Sequence, residues 1–231
     1  MKNILAMDTS GPSLSVALVQ AGRLVYECTQ QNGMTHSDSL MVLVDEAMQA
    51  GRMAVADVDC FAVVTGPGSF TGVRIGVTTA KSFAHATNKP CMGINALEAI
   101  AYGARQFDGL VCPMQDARAG QVYCAAFQNE KRILPDDALK LDIFLEQVKP
   151  YGRCCFIGDG AAVHRDAIEA AMGANAVFPS MSAMVLRAAN VAELALLHPE
   201  QATGWQALAP YYLRAPQAER ERLAKEAAAH G

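Results

Sequence analysis

The sequence predicts an α/β protein built from two related halves, and three observations carry that expectation. Short β-rich apolar runs alternate with segments whose apolar residues recur at helical spacing. An Asp-containing turn follows the opening strand of each half, at Asp8 and again at Asp116. Later in each half a buried strand ends in Gly-x-Gly, as Gly66-Pro67-Gly68 and as Gly158-Asp159-Gly160, and opens a helix. One order of elements met twice marks a diverged internal duplication.

In the first half, Ile4 to Asp8 is a short apolar run stopped by Thr9-Ser10-Gly11-Pro12. Leu14, Val16 and Leu18 then alternate with Ser15, Ala17 and Val19, and a third strand runs through Leu24 to Cys28. From Ser37 the period changes: Leu40, Leu43, Val44, Ala47 and Met48 make one apolar face of a helix ending near Gly51. Cys60 to Thr65 is a continuous apolar run suited to a strand buried on both faces. The helix after it carries Val73, Val77, Ala80 and Ala84 on one side and stops at Asn88-Lys89-Pro90. Cys91 to Ile94 is a further strand, and Asn95 with Glu98 three residues on predicts a capped helix through Arg105.

The second half repeats the order more loosely, with strands at Leu110–Met114, Val122–Phe127 and Cys154–Ile157 and a helix from Gly160 through Met172. Met184 to Leu197 is a last helical segment, and Gln217 to Gly231 is a charged, alanine-rich tail expected as a frayed helix or disordered chain. The expected division is a first lobe at 1–106, a smaller second lobe at 107–215 and the tail at 216–231. No stretch is rich enough in Gly, Ser and Pro to make a flexible boundary, so the lobes should pack on each other.

Of the 231 residues 52% are hydrophobic and 18% charged, a composition that folds compactly. The apolar stretch Ile4 to Met7 is too short for a signal-peptide core or a membrane span, so the expectation is a cytoplasmic protein with no membrane contact. The seven cysteines show no C-x-x-C pair and fall mostly in apolar runs, where Cys acts as a small hydrophobe. The five histidines lack H-x-x-x-H and H-E-x-x-H spacing, and no serine sits in a G-x-S-x-G elbow. No catalytic residue and no metal ligand is therefore expected.

The most specific segment runs from Gly66 to Gly76, between a buried strand and a helix. It matches neither a Walker A loop nor a dinucleotide fingerprint. Its glycines would either bring backbone N–H groups to an anion at a helix N-terminus or permit a tight strand-to-helix crossing. Asp8 and Asp116 would either orient a metal-bound water near phosphates or cap their own turns. Asp8, Gly66, Gly68, Asp116, Gly158 and Gly160 are thus the candidates for a nucleotide cleft.

Ile4-Leu-Ala-Met-Asp-Thr-Ser, His36-Ser37, the run Gly66 to Gly76 with Ala80-Lys81, Asp116-Ala-Arg with Gly120-Gln-Val-Tyr, and Pro210-Tyr-Tyr-Leu-Arg together resemble the TsaB family, also called YeaZ. The resemblance runs to about Arg214. It implies the ASKHA (actin-like ATPase) fold of two RNase-H-like lobes. It also implies a part in making N6-threonylcarbamoyladenosine beside the anticodon of tRNA, with a TsaD-like catalytic paralogue and a TsaE-like ATPase as partners.

TsaD-like chains carry a Val-Asn-His-x-x-x-His motif whose histidines hold the catalytic metal, whereas here Ala96 and Ile100 stand at those positions, and neither can donate to a metal. The expected role is therefore that of a non-catalytic subunit. It would have no cofactor of its own, ATP or ADP with magnesium would enter only in the assembled complex, and tRNA would be met indirectly. Arg74 stands where TsaD-like chains have an apolar residue, so the catalytic relative supplies no role for it. The resemblance further implies that Leu40, Leu43, Val44, Ala47, Met48, Val73, Val77, Ala80 and Lys81 form a partner interface, used by homodimers and by TsaD alike. The alternative is that these stripes are core. Two other classes compete with the whole reading: a stand-alone ASKHA phosphotransferase using Asp8 and Asp116, and a metallopeptidase-like hydrolase.

The formal net charge of −4 and the lack of a basic run predict weak RNA binding by the isolated chain. Filter binding at physiological salt should give a dissociation constant for tRNA of about 10⁻⁴ to 10⁻⁶ M, the non-specific range. Nanomolar binding with little salt dependence would contradict this.

Overall fold

The computed structural model describes residues 1–214, so the expectation for Gln217–Gly231 lies outside the described residues. The first half comprises β1 (Ile4–Asp8), β2 (Leu14–Gln20), β3 (Arg23–Gln30), α1 (His36–Gly51), β4 (Cys60–Gly66), α2 (Phe70–Thr87), β5 (Cys91–Asn95) and α3 (Ala96–Tyr102). The second comprises β6 (Leu110–Asp116), β7 (Gln121–Gln128), β8 (Lys131–Lys140), α4 (Leu141–Val148), β9 (Cys154–Ile157), α5 (Asp159–Val163), α6 (Arg165–Met172) and β10 (Ala176–Val177). A last helix, α7 (Ala188–Leu197), follows.

The two five-stranded sheets run β3-β2-β1-β4-β5 and β8-β7-β6-β9-β10. In each, the first strand is antiparallel to the second and parallel to the fourth, so β1 corresponds to β6 and β4 to β9. The duplication is therefore real at the level of topology, and the chain has the two-lobed ASKHA arrangement. β1 and β4 are buried throughout, which is why they read as unbroken apolar runs.

Three apolar clusters hold the layers together. One lies between the lobes, where α3 and α7 pack against Ile4, Ala6, Val111 and Phe127. A second fills the space under α1 and α2, and a third the outer side of the second sheet. α7 belongs physically to the first lobe, although the sequence division places it in the second: the Ala188 N–H donates to Ser15 Oγ at 2.8 Å, and Arg187 pairs with Glu27 of β3. That anchoring also delays the helix, expected from Met184, because Arg187 is extended. The helix expected over Gly160–Met172 is broken at His164 into α5 and α6. The Asn95 cap is present, its Oδ1 accepting from the Glu98 N–H at 3.0 Å.

The packing places the expected interface stripe in the core of the isolated chain. Leu40, Leu43, Val44, Ala47, Met48, Val73, Val77 and Ala80 are all buried in the cluster under α1 and α2, beside Leu5, Phe61 and Val63 of the sheet. An amphipathic helix lying on a sheet turns its apolar face inward, and here that face lies on the first sheet. Lys81 is also engaged, its Nζ donating to the Leu208 carbonyl at 2.9 Å. The opposite face carries exposed apolar side chains, Met41 at 52% and Val42 at 54%.

Leu43→Ala should accordingly cost about 2 to 5 kcal/mol in urea unfolding, while Met41→Ala should change stability by no more than about 0.5 kcal/mol. Equal small effects at both positions would put Leu43 outside the core.

Candidate functional site

The C-terminal ends of β1 and β6 meet at the lobe boundary, where Gln115 reaches Ser10 and the Asp159 carboxyl feels the charges of both Asp116 and Asp8. Asp8 is fully buried, with Oδ1 accepting from the Ser10 N–H at 2.8 Å and Oδ2 without a hydrogen-bond partner among the described residues. Burial pushes its carboxyl up to about 6, against the pull of the hydrogen bonds from Ser10 and the charge of His36. His36 Nε2 donates to the Gly11 carbonyl at 2.9 Å, tying the start of α1 to the same turn.

Across the boundary, Asp116 is partly exposed and its Oδ1 accepts from the Arg118 N–H at 2.9 Å. Two further residues complete the cleft and were not singled out from sequence. Asp159 opens α5, and its Oδ2 accepts from the Asp116 N–H at 3.1 Å. Burial, reinforced by the charges of Asp116 and Asp8, pushes its carboxyl up to about 6. Gln115, only 3% exposed, reaches from the second lobe to the first, with Nε2 donating to Ser10 Oγ at 3.4 Å. Asp159 had a visible signal, lying between the two flagged glycines; Gln115 had none, because an amide in a strand gives no spacing pattern.

The four flagged glycines meet main chain. A Cβ at Gly66 would lie 2.3 Å from the Tyr211 carbonyl oxygen, and one at Gly68 2.4 Å from that of Ser10. At Gly158 it would lie 2.1 Å from the Met114 carbonyl oxygen, and at Gly160 2.7 Å from the Gln115 carbonyl carbon. Gly68 has φ +153° and Gly158 φ +107°, backbone that L side chains rarely adopt. The first turn of α2 is likewise engaged, since the Ser69 N–H donates to Ser10 O at 2.7 Å and the Gly72 N–H to Ser69 Oγ at 3.2 Å.

Ala96 and Ile100 are buried in the apolar cluster between the lobes, and no group of three or more metal-binding side chains forms among the described residues. A groove of about 490 Å³ lies on the outer side of α1 and α2, bordered by Ser37, Met41, Phe70, Arg74, Ile75 and Thr78. No helix of the described residues is long and apolar enough to cross a membrane.

Residues 30–222 match the model of the family described as TsaD, tRNA N6-adenosine threonylcarbamoyltransferase. The chain is 35% identical over 222 residues to the tRNA threonylcarbamoyladenosine biosynthesis protein TsaB of Bacillus subtilis, covering 94% of this chain and 96% of that one. It is 42% identical over 78 residues to the tRNA N6-adenosine threonylcarbamoyltransferase of Agrobacterium fabrum, 34% of this chain and 21% of that one. Among solved structures, YeaZ from Pseudomonas aeruginosa superposes with a TM-score of 0.75 at 25% identity, over 92% of this chain and 100% of that one.

The cleft carboxyls give a signed pH dependence. Asp8 ionises near 3.8 when unfolded and near 6 when folded, so between those values the folded chain holds a proton that the unfolded chain has released. Its contribution to stability therefore falls as pH rises through that window and is level above it, and Asp159 acts in the same direction. Urea unfolding between about pH 4.5 and about pH 7.5 should show a smaller fall for Asp8→Asn than for the parent. Parallel profiles would remove Asp8 from this role.

Proposed function

The chain belongs to the TsaB family of tRNA threonylcarbamoyladenosine biosynthesis proteins, within the wider TsaD family, and from that membership we propose that it is a non-catalytic subunit docking onto a TsaD-like paralogue. With that paralogue and a TsaE-like ATPase it supports transfer of the threonylcarbamoyl group to N6 of the adenosine beside the anticodon, in the cytoplasm. The observation that carries this is the pair Ala96 and Ile100: at the positions of the paralogue's metal ligands, both are packed into the inter-lobe core. The scaffold is kept and the metal chemistry is absent from those positions.

The docking face is the outer groove of α1 and α2, with Met41, Phe70, Arg74 and Ile75 at its surface, rather than the buried stripe. A two-fold contact uses one patch on both subunits, so the same face serves a second copy when the paralogue is absent. tRNA is reached through the partner, in keeping with the net charge of −4.

The cleft does not fit a magnesium nucleotide. Gly66, Gly68, Gly158 and Gly160, the positions expected to cradle phosphates, lie against the chain's own main chain, and Asp8 is closed off from solvent. In this reading the isolated chain takes no nucleotide, and a magnesium nucleotide enters only with the assembled complex. The same closure disfavours the stand-alone phosphotransferase.

Purified chain given tRNA and threonylcarbamoyl adenylate should transfer nothing until the paralogue is added. Met41→Glu should keep the parent's melting temperature yet weaken paralogue binding in calorimetry by on the order of 10- to 100-fold. Transfer by the chain alone, or undiminished binding by this variant, would overturn the proposal.

A further inference from the structure

After α7 the chain runs back along α2 as a strap. Thr203 bridges to Cys91 at the edge of the first sheet, Trp205 packs on His85 at a centroid distance of 4.6 Å, and the Leu208 carbonyl accepts from Lys81. The Tyr211 N–H donates to the Thr65 carbonyl at 2.7 Å, and Tyr212 reaches Phe70 and Arg74 at the start of the helix. Positions 85, 81, 74 and 70 share one stripe of α2, so the strap lies antiparallel to the helix and ends beside the docking groove.

At that end Arg74 is held in a fixed pose. Its Nε–H donates to Tyr212 Oη at 3.0 Å, and its guanidinium carbon lies 3.8 Å over the Phe70 ring, which stacks on Tyr212 at 4.6 Å. A guanidinium has five N–H donors, and with Nε engaged the edge bearing the two terminal nitrogens has the geometry to grip one carboxylate with two parallel bonds. Among the described residues Arg74 has no acidic partner, whereas Arg105, Arg132, Arg165 and Arg187 each pair with a carboxylate. An exposed arginine immobilised by two aromatics, with no counter-charge among the described residues, is prepared to receive one.

We infer that Arg74, oriented by Tyr212 and Phe70, is the receptor for a single carboxylate on the docking helix of the catalytic paralogue, an inference that rests on the docking face proposed above. Two features select a protein carboxylate over an RNA phosphate. The groove beside Arg74 is lined by Met41, Phe70 and Ile75, which suit apolar side chains around one acid. The neighbouring exposed face of α1 carries Asp38 and Asp45, which repel a polyanion far more than a helix bearing one charge. Tyr212 is a positioning residue: its hydroxyl fixes which edge of the guanidinium is offered.

The test measures binding of the full-length chain to its paralogue by calorimetry, with melting temperature recorded for each variant. Arg74→Ala should weaken binding by on the order of 10- to 100-fold, Arg74→Lys should recover only part of the loss, and Tyr212→Phe should cost about 3- to 10-fold, all without lowering the melting temperature. Arg74→Glu should be rescued to within about tenfold of the parent by changing one acidic residue of the paralogue's docking helix to Arg. Parent-like binding by Arg74→Ala while Met41→Glu still fails would overturn this inference and leave the docking face standing; parent-like binding by both would remove the docking face itself. Loss confined to tRNA retention by the assembled complex, or failure of every charge swap, would also overturn it.

Discussion

The structure depends on one close approach, the β1–β2 turn pressed against the start of α2. Ser10 accepts from the Ser69 N–H, Thr9 Oγ1 donates to the Gly72 carbonyl at 2.7 Å, and Gly68, Gly72 and Gly76 leave no room for a Cβ against Ser10 and Thr9. This contact fixes the height and rotation of α2 over the sheet. Val73, Val77 and Ala80 are consequently committed to the core, and Phe70, Arg74 and Ile75 to the outer groove. A side chain at any of these glycines would lift the helix and disturb core and groove together. The glycines of this motif seat a helix against the β1–β2 turn, and in the second lobe Gly158 and Gly160 make the same kind of close approach to the end of β6.

Much of this was legible in the sequence because burial on both faces and helical periodicity leave strong patterns. β1, β4 and β9 read as apolar runs, α1 and α2 as periodic stripes, and Asp8 and Asp116 as strand-end turns in a repeated order. The misses have physical causes. β8 is an exposed edge strand containing Pro135 and two adjacent aspartates, so it lacks alternation, and α4 is too short for a clear period. The same periodicity that revealed the stripes of α1 and α2 could not say what covered them; a sheet and a partner helix ask for the same residues. Gln115 and Tyr212 matter through contacts made over 100 residues away in sequence, to Ser10 and Arg74, and no local pattern encodes such a pairing.

The inter-lobe cleft and the outer groove divide the inheritance of the fold. Between the lobes, Asp8 and Asp116 stand at strand ends, the neighbouring glycines lie close against main chain, and Ala96 and Ile100 belong to the apolar cluster there. Burial holds the Asp8 and Asp159 carboxyls near 6, so ionising them as pH rises costs the folded chain stability. The groove presents exposed Met41, a cation fixed by aromatics, and hydroxyls from Ser37, Thr71 and Thr78.

The central claim, a subunit that acts by presenting the outer face of α1 and α2 to its paralogue, is tested most directly by hydrogen–deuterium exchange of the chain alone and in the complex. The account predicts new protection over the exposed turns of α1 from residue 36 to 42 and of α2 from 70 to 79, with the already buried strands unchanged. Protection confined to the second lobe, with both helices exchanging as in the free chain, would contradict it.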